Sequence, residues 1–336
     1  MNTLSRRQLL ARAMGAALLP SFLPMAGALA ARPALAQAPY PSRPVKWLVP
    51  YLAATGPDIA ARILAEAVGP LLGQPIVIEN RAGAAGNIGT RVAAKSPADG
   101  YTLLYTGTPL AANMHIYKNP GYDALKDFRH IMRLSSSDVG LVVHADSDIR
   151  TLDDLLARLK ANPGQVDYAS GGIGTPSHLG MEQFLSATRT KAMHVPYKGA
   201  SELVNAILGH QVVFGMPIFA AAHPMIKAGK LRALAIAGPR RNPVAPQVPT
   251  LTELGVPGVE LTSWGGLSVP AGTPDAVVNA IYKAFSEALR QPAVIAALQE
   301  NGGLVDVRDS ASFVQNIRQE MQLTEAMMKK VGLQPI

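Results

Sequence analysis

The chain contains no cysteine. That excludes disulfides, thiolate metal sites and thiol nucleophiles, so the fold must rest on its apolar core alone. Aromatic residues are 5% and charged residues 16% of the 336 residues. No run of Lys or Arg and no basic stripe interleaved with aromatics occurs, which argues against nucleic acid as a partner. The seven histidines (His115, His130, His144, His178, His194, His210 and His223) include no His-x-x-x-His pair, so no helix-borne metal site is read. A phosphate loop ending in Gly-Lys-Ser/Thr and a Gly-x-Ser-x-Gly elbow are both missing. Gly83–Gly89 and Gly172-Ile173-Gly174 miss the dinucleotide-binding spacing. Nothing sets a nucleophile beside a base, so catalysis is not expected.

What is present starts with Ser5-Arg6-Arg7-Gln8-Leu9-Leu10, an apolar stretch from Ala13 to Ala31, and the small-x-small site Ala34-Leu35-Ala36. This pattern predicts a cleaved twin-arginine signal peptide over residues 1–36. Pro20 and Pro24 interrupt the apolar stretch and argue against a membrane anchor. Without a cysteine, lipid anchoring is excluded as well. The expected product is exported, soluble and periplasmic. The leader carries Arg6, Arg7, Arg12 and Arg32 and no acid, so its removal halves the net charge of +8. The mild positive balance that remains suits attraction of anionic solutes. Length and 48% hydrophobic composition allow two domains.

From Tyr40 onward, short β-branched runs alternate with longer helical patterns, which predicts α/β layering. Strands are read at Val45–Val49, Ile76–Ile78, Tyr101–Tyr105, Val139–Val143, Val166–Ala169, Met193–Val195, Val212–Phe214 and Leu231–Ile236. A helix is expected from about Asp58, with Pro70 kinking or ending it. Gly83–Gly89 opens another. Thr151 with Asp154, and Thr250 with Glu253, read as capping boxes. The tail is helical over Pro274–Leu289, Pro292–Gln299 and Ser312–Met328.

Four strand-to-helix junctions, 53–58, 106–109, 170–175 and 198–201, are rich in Gly, Ser and Thr. Small residues there let backbone N–H groups approach a ligand, and the helix start adds partial positive charge. In doubly wound sheets such junctions face a common crevice, so they predict a cleft for a small carboxylate. The candidate contacts are Tyr51, Ala54, Thr55, Gly56 and Asp58 from the first junction, and Thr106 and Thr108 from the second. Ser170, Gly172, Gly174, Thr175 and His178 come from the third, and Tyr197, Lys198 and Gly199 from the fourth. Tyr197 offers a hydroxyl or ring face, and Lys198 a charge partner.

Several segments together resemble the tripartite tricarboxylate transporter receptor family, the Bug solute-binding proteins. They are Tyr40-Pro41-Ser42-Arg43-Pro44-Val45, Gly73–Arg81 with Gly83–Gly89, Asp99–Leu104, Tyr168-Ala169-Ser170, His194–Gly199, Lys227–Ala235, Ser263-Trp264 and Pro270–Pro274. The resemblance spans nearly all of the chain after the leader. It implies a type II periplasmic-binding-protein fold, with two α/β lobes over 40–140 plus 259–336 and 141–258 and a ligand cleft between them. It also implies a carboxylate held partly through water by the first loop and the loop after Ser170. The implied partners are a large and a small membrane subunit. No cofactor is implied, and a monomer is expected.

Asp58 matches the family's acid after the first loop. That loop usually runs through consecutive glycines and here reads Ala53-Ala54-Thr55-Gly56-Pro57. Pro217 stands after Val212–Met216, where the family commonly has Asp or Asn, which removes the expected partner of a ligand ammonium. A di- or tricarboxylate or an aromatic carboxylate is therefore expected rather than an amino acid. Leu52, Ile173 and Phe219 are expected to dry the cleft. A ligand-loaded sensor docking on a receptor kinase, or an enzyme using Lys198, His178 or Asp58, are the alternatives.

Overall fold

The computed structural model describes residues 40–336; the expected leader lies outside the described residues. The chain forms β1 (Val45–Val49), α1 (Gly56–Leu72), β2 (Ile76–Asn80), a short 3-10 turn, α2 (Asn87–Ala94), β3 (Thr102–Gly107) and α3 (Thr108–Ile116). The long β4 (Phe128–Asp138) then runs almost directly into β5 (Gly140–His144). There follow α4 (Leu152–Ala161), β6 (Asp167–Ser170), α5 (Pro176–Thr188), β7 (Met193–Pro196), α6 (Ala200–Leu208), β8 (Phe214–Gly215), α7 (Phe219–Lys227) and β9 (Leu231–Ile236). The chain finishes with β10 (Thr262–Pro270), α8 (Asp275–Ala288), α9 (Pro292–Glu300), β11 (Leu304–Arg308) and α10 (Ser310–Val331).

Two sheets result. The first has six strands in the order β11-β4-β10-β3-β1-β2 and the second has five in the order β7-β6-β8-β5-β9. Strand β1 lies parallel to β2 and β3, while β10 lies antiparallel to β3 and β4. Both sheets are buried on two faces, so their strands read as apolar runs. On β1, Val45, Trp47 and Val49 enter the core under α1, α8 and α9, whereas Leu48 joins Leu104, Trp264 and Phe313 on the opposite face. The second sheet divides in the same way: Tyr168 and Phe214 face one core, and Ala169 and Val142 the other.

The chain crosses between the sheets at Val139 and returns ahead of β10. Here the buried carboxylate of Asp138 accepts from Asn242 Nδ2 at 3.0 Å, tying the outgoing and returning strands together. In β10, Gly265 and Gly266 pass beneath aromatic side chains. A methyl on Gly266 would collide with the Phe313 ring. Gly266→Ala is expected to destabilise the fold by about 1–3 kcal/mol through overpacking, read as a lower denaturant midpoint at unchanged slope.

The structure differs from the local sequence patterns at three places. Helix α1 does not stop at Pro70 but runs to Leu72 and ends on left-handed Gly73 (φ 84°). Pro70 lies in the last turn, where the carbonyl it would have bonded belongs to exposed Glu66 and stays hydrated. Thr250 and Glu253 exchange the reciprocal bonds of a capping box, at 2.8 and 3.1 Å. No helix follows them, because Gly255 turns left-handed (φ 79°) and Pro257 comes next. Strands β4, β10 and β11 were not anticipated as strands; two glycines in Trp264-Gly265-Gly266 weaken the β signal that packing restores.

Candidate functional site

The edges of both sheets converge on one cavity, with about 620 Å³ of space not filled by atoms. Its lining includes the N-cap residues of six helices: Thr55 (α1), Gly86 (α2), Gly107 (α3), Thr175 (α5), Gly199 (α6) and Ile218 (α7). None of the six is capped by its own side chain. By contrast, α4 and α10 are capped by Thr151 and Asp309. Pro57, Pro109 and Pro176 occupy first-turn positions of α1, α3 and α5, where the missing N–H is no loss. The helix dipoles, and those first-turn N–H groups that the chain leaves unpaired, place partial positive charge around one space. Lys198 is the one residue of formal charge in this lining.

Contacts across the cleft narrow its rim. A side chain on Gly199 would meet Leu52 Cδ1 at 3.1 Å, and one on Gly56 would meet Ala220 Cβ at 3.2 Å. Gly107 is equally constrained, since a methyl there would stand 2.6 Å from the Tyr51 hydroxyl. That hydroxyl makes no side-chain hydrogen bond among the described residues. Burial pushes its pKa up, with Tyr105 and Tyr122 adding to the effect, so it faces the cavity as a neutral donor.

Of the residues expected from sequence, Tyr51, Thr55, Thr175, Lys198 and Gly199 line this cavity, and Gly56 lines a neighbouring one. The others lie behind the surface or elsewhere. Ala54 is left-handed (φ 60°) and its N–H donates to Asp58 Oδ2 at 2.9 Å. Asp58 also accepts from Arg62 Nε at 3.1 Å and Asn80 Nδ2 at 2.9 Å. Burial alone would raise this carboxyl, but these hydrogen bonds and the Arg62 charge hold it below its usual range. Asp58 therefore holds the first loop in shape, with its acceptors already committed. Asp58→Ala is expected to cost about 2 kcal/mol, the worth of a charge-assisted hydrogen bond, seen as a lower midpoint at pH 7. The stabilisation is present above the ordinary carboxylate pKa and is lost as pH falls through the lowered value.

Thr106 does not reach the cavity: its Oγ1 lies toward Gly266 and Phe313, on the opposite face of the sheet. Thr108 is fully buried with Oγ1 unpartnered among the described residues. Pro217 uses its carbonyl to accept the Gly140 N–H at 3.0 Å. Tyr197 turns its hydroxyl to Gln211 at 3.4 Å. Of the expected drying residues, Phe219 is fully buried against Gly140 and Ile173 is exposed. The apolar surface comes instead from Pro57, Ile218 and Trp264.

Ser170 is fully buried, bonded to His194 Nε2 at 2.6 Å and accepting the Gly172 N–H at 3.1 Å. Gly172 and Gly174 are left-handed, at φ 114° and 84°, and shape the loop that Ser170 supports. The Gly174 N–H donates to His178 Nδ1 at 3.3 Å. His178 stacks on His194, with centroids 4.4 Å apart, and His194 stacks on Tyr168 at 4.8 Å. Burial keeps both histidines neutral, each pushed down to about 4. These residues position the loop from behind. Ser177 was missed by the sequence reading: it lines the cavity and accepts the Gly171 N–H at 2.8 Å. Its signal was the helix start Thr175-Pro176-Ser177. Trp264, also in the lining, was marked only as part of a family-resembling segment, and Ile218 carried no signal, because both come from distant parts of the chain.

Residues 60–333 match the family described as the tripartite tricarboxylate transporter family receptor. The chain belongs to that family. Its backbone superposes on the periplasmic binding protein BugD with TM-score 0.84 at 30% identity, covering 88% of this chain and 100% of BugD. An R. palustris protein solved with adipate matches with TM-score 0.86 at 29% identity, covering 88% of this chain and 100% of the other. MatC from Rhodopseudomonas palustris, solved with malate, matches with TM-score 0.80 at 28% identity, covering 86% and 99%. The fold is thus the type II periplasmic-binding-protein fold of the Bug receptors. No helix among the described residues is long and apolar enough to cross a membrane.

Proposed function

We propose that this protein is a periplasmic receptor that captures a small carboxylate and delivers it to the large and small membrane subunits of a tripartite tricarboxylate-type transporter. The observation that carries the reading is the set of six helix N-caps, none with a side-chain cap, around one cavity. A carboxylate is the ligand that such donors hold best without an arginine. The adipate- and malate-bound relatives support the same chemistry. Binding rather than catalysis is favoured because the groups an enzyme would use are committed: Asp58 to Arg62 and Asn80, and His178 Nδ1 to Gly174. Asp58 has no acceptor left for an ammonium, which agrees with a ligand other than an amino acid. Closure of the two lobes around the solute would be the state that the membrane subunits recognise.

Thermal unfolding with a panel of mono-, di- and tricarboxylates, aromatic acids and amino acids tests this. A ligand at about 100 times its dissociation constant stabilises the folded state by roughly 2.7 kcal/mol, which raises Tm by several degrees. Failure of every carboxylate to raise it would remove the proposal.

A further inference from the structure

The cavity is not the end of the cleft. Pro57, Ile218, Ser263 and Trp264 line it on one side and a second chamber, of about 480 Å³, on the other. These four residues therefore form a collar between two compartments. Ile59, Ile63 and Leu298 give the second chamber apolar walls. Its polar lining is Ser135, Ser136 and Ser137 from β4, Ser263 from β10, Tyr105, and Asn301, whose amide N–H already donates to the Ala297 carbonyl. Ser137 makes only long contacts, at 3.5 Å to the Gly302 and Asp138 carbonyls and to the Ala220 N–H. Ser136 and Ser263 make no side-chain hydrogen bond among the described residues, although Ser263 is only 7% exposed.

Charge decides what such a space accepts. No residue of formal charge lines the second chamber, and Lys198 alone lines the first. A carboxylate in the first cavity meets helix N-termini and Lys198. A second carboxylate beyond the collar would have no cation beside it and only the N-terminal turns of α1 and α7, two helix starts where the first cavity has six and Lys198, so desolvation would weigh more heavily there. A hydroxyl or carbonyl carried there on an apolar body would instead meet unpartnered hydroxyls.

We propose that the solute is a monocarboxylate with an uncharged ring or chain that passes the Pro57–Ile218–Trp264 collar and ends in a hydroxyl or carbonyl group among Ser136, Ser137 and Ser263. This rests on the carboxylate reading of the first cavity and narrows it, setting di- and tricarboxylates aside.

The test is calorimetric titration of the full chain with three probes: propionate, para-hydroxyphenylpropionate and para-carboxyphenylpropionate. The hydroxyl-tipped acid is expected to bind at least about tenfold tighter than its dicarboxylate analogue. Ala60→Phe fills the second chamber only, since Ala60 lines that chamber and not the first. It is expected to weaken the hydroxyphenyl probe at least about tenfold and leave propionate unchanged. Ser136→Leu, read in the same way, guards against a folding defect in the first variant, with ligand-free Tm as the control for both. Tighter binding of the dicarboxylate, or equal hydroxyphenyl affinity in a folded plugged variant, overturns the proposal. Failure of all three probes to bind the unaltered chain overturns the carboxylate reading itself, and the narrower proposal with it.

Discussion

Ser177→Asp is expected to abolish carboxylate binding while the empty protein still folds. Ser177 lies in the first turn of α5, is 4% exposed and lines the cavity. An acid in the first turn of a helix gains up to about 2 kcal/mol in partly buried geometry, which offsets part of the cost of placing a charge at this position. The same negative charge faces the ligand. Two like charges 4 Å apart repel by about 4 kcal/mol at an effective dielectric of 20, which is between two and three orders of magnitude in affinity. The measurement is a titration beside a ligand-free melt. Lost binding in a variant that still folds identifies the helix N-termini as the anion site; unchanged affinity would place the carboxylate elsewhere.

Acidification is expected to unfold the protein earlier than its carboxylates alone would dictate. His130 and His178 are 3% and 4% exposed, and burial pushes each down to about 4. Half-buried His194 is pushed down likewise, by burial and by His178. In the unfolded chain these groups titrate near the ordinary value of about 6.5. Between those values the unfolded state binds more protons, so stability rises with pH and is lost as pH falls from about 6.5 toward 4. Each fully buried histidine contributes up to roughly 3 kcal/mol over that window.

His178 also has a specific reason to resist protonation. Its Nδ1 accepts the Gly174 N–H, and a proton there would expel that donor and loosen the ligand loop. Glu182 stands 4.0 Å from His178 Nε2, too far to offset the burial. Chemical denaturation at pH 7 and pH 4.5, for the unaltered chain and for His178→Gln, reads the effect. The variant is expected to lose less stability between the two pH values, and parallel losses would sink the assignment to His178.

Much of this was legible along the chain because the signals are local. Val45–Val49 and Leu231–Ile236 appear as strands with the bounds read from their apolar runs. Thr55, Thr175 and Gly199 were found because a small residue before a helical pattern marks an N-cap wherever it occurs. The strands at the crossover were less legible. Strand β10 carries two glycines, and its strand character depends on being flanked by β3 and β4. Thr106 was misjudged because composition marks a junction, while the side-chain alternation of the strand decides which face a residue serves.

By itself, the sequence determined the α/β layering, the family, and the four small-residue junctions that a carboxylate would use. Each is written within a few residues by period, turn chemistry and capping. The tertiary structure decided which of those junctions meet and what else joins them. Gly86 and Ile218 bring two further helix starts to the cavity, and Trp264 arrives from more than two hundred residues after Tyr51. It also decided that Asp58 serves the loop and that a second, uncharged chamber lies beyond the collar. Those outcomes depend on the pairing of two sheets and on crossovers tied by Asp138 and Asn242, and no local pattern encodes a distance between segments that only packing brings together.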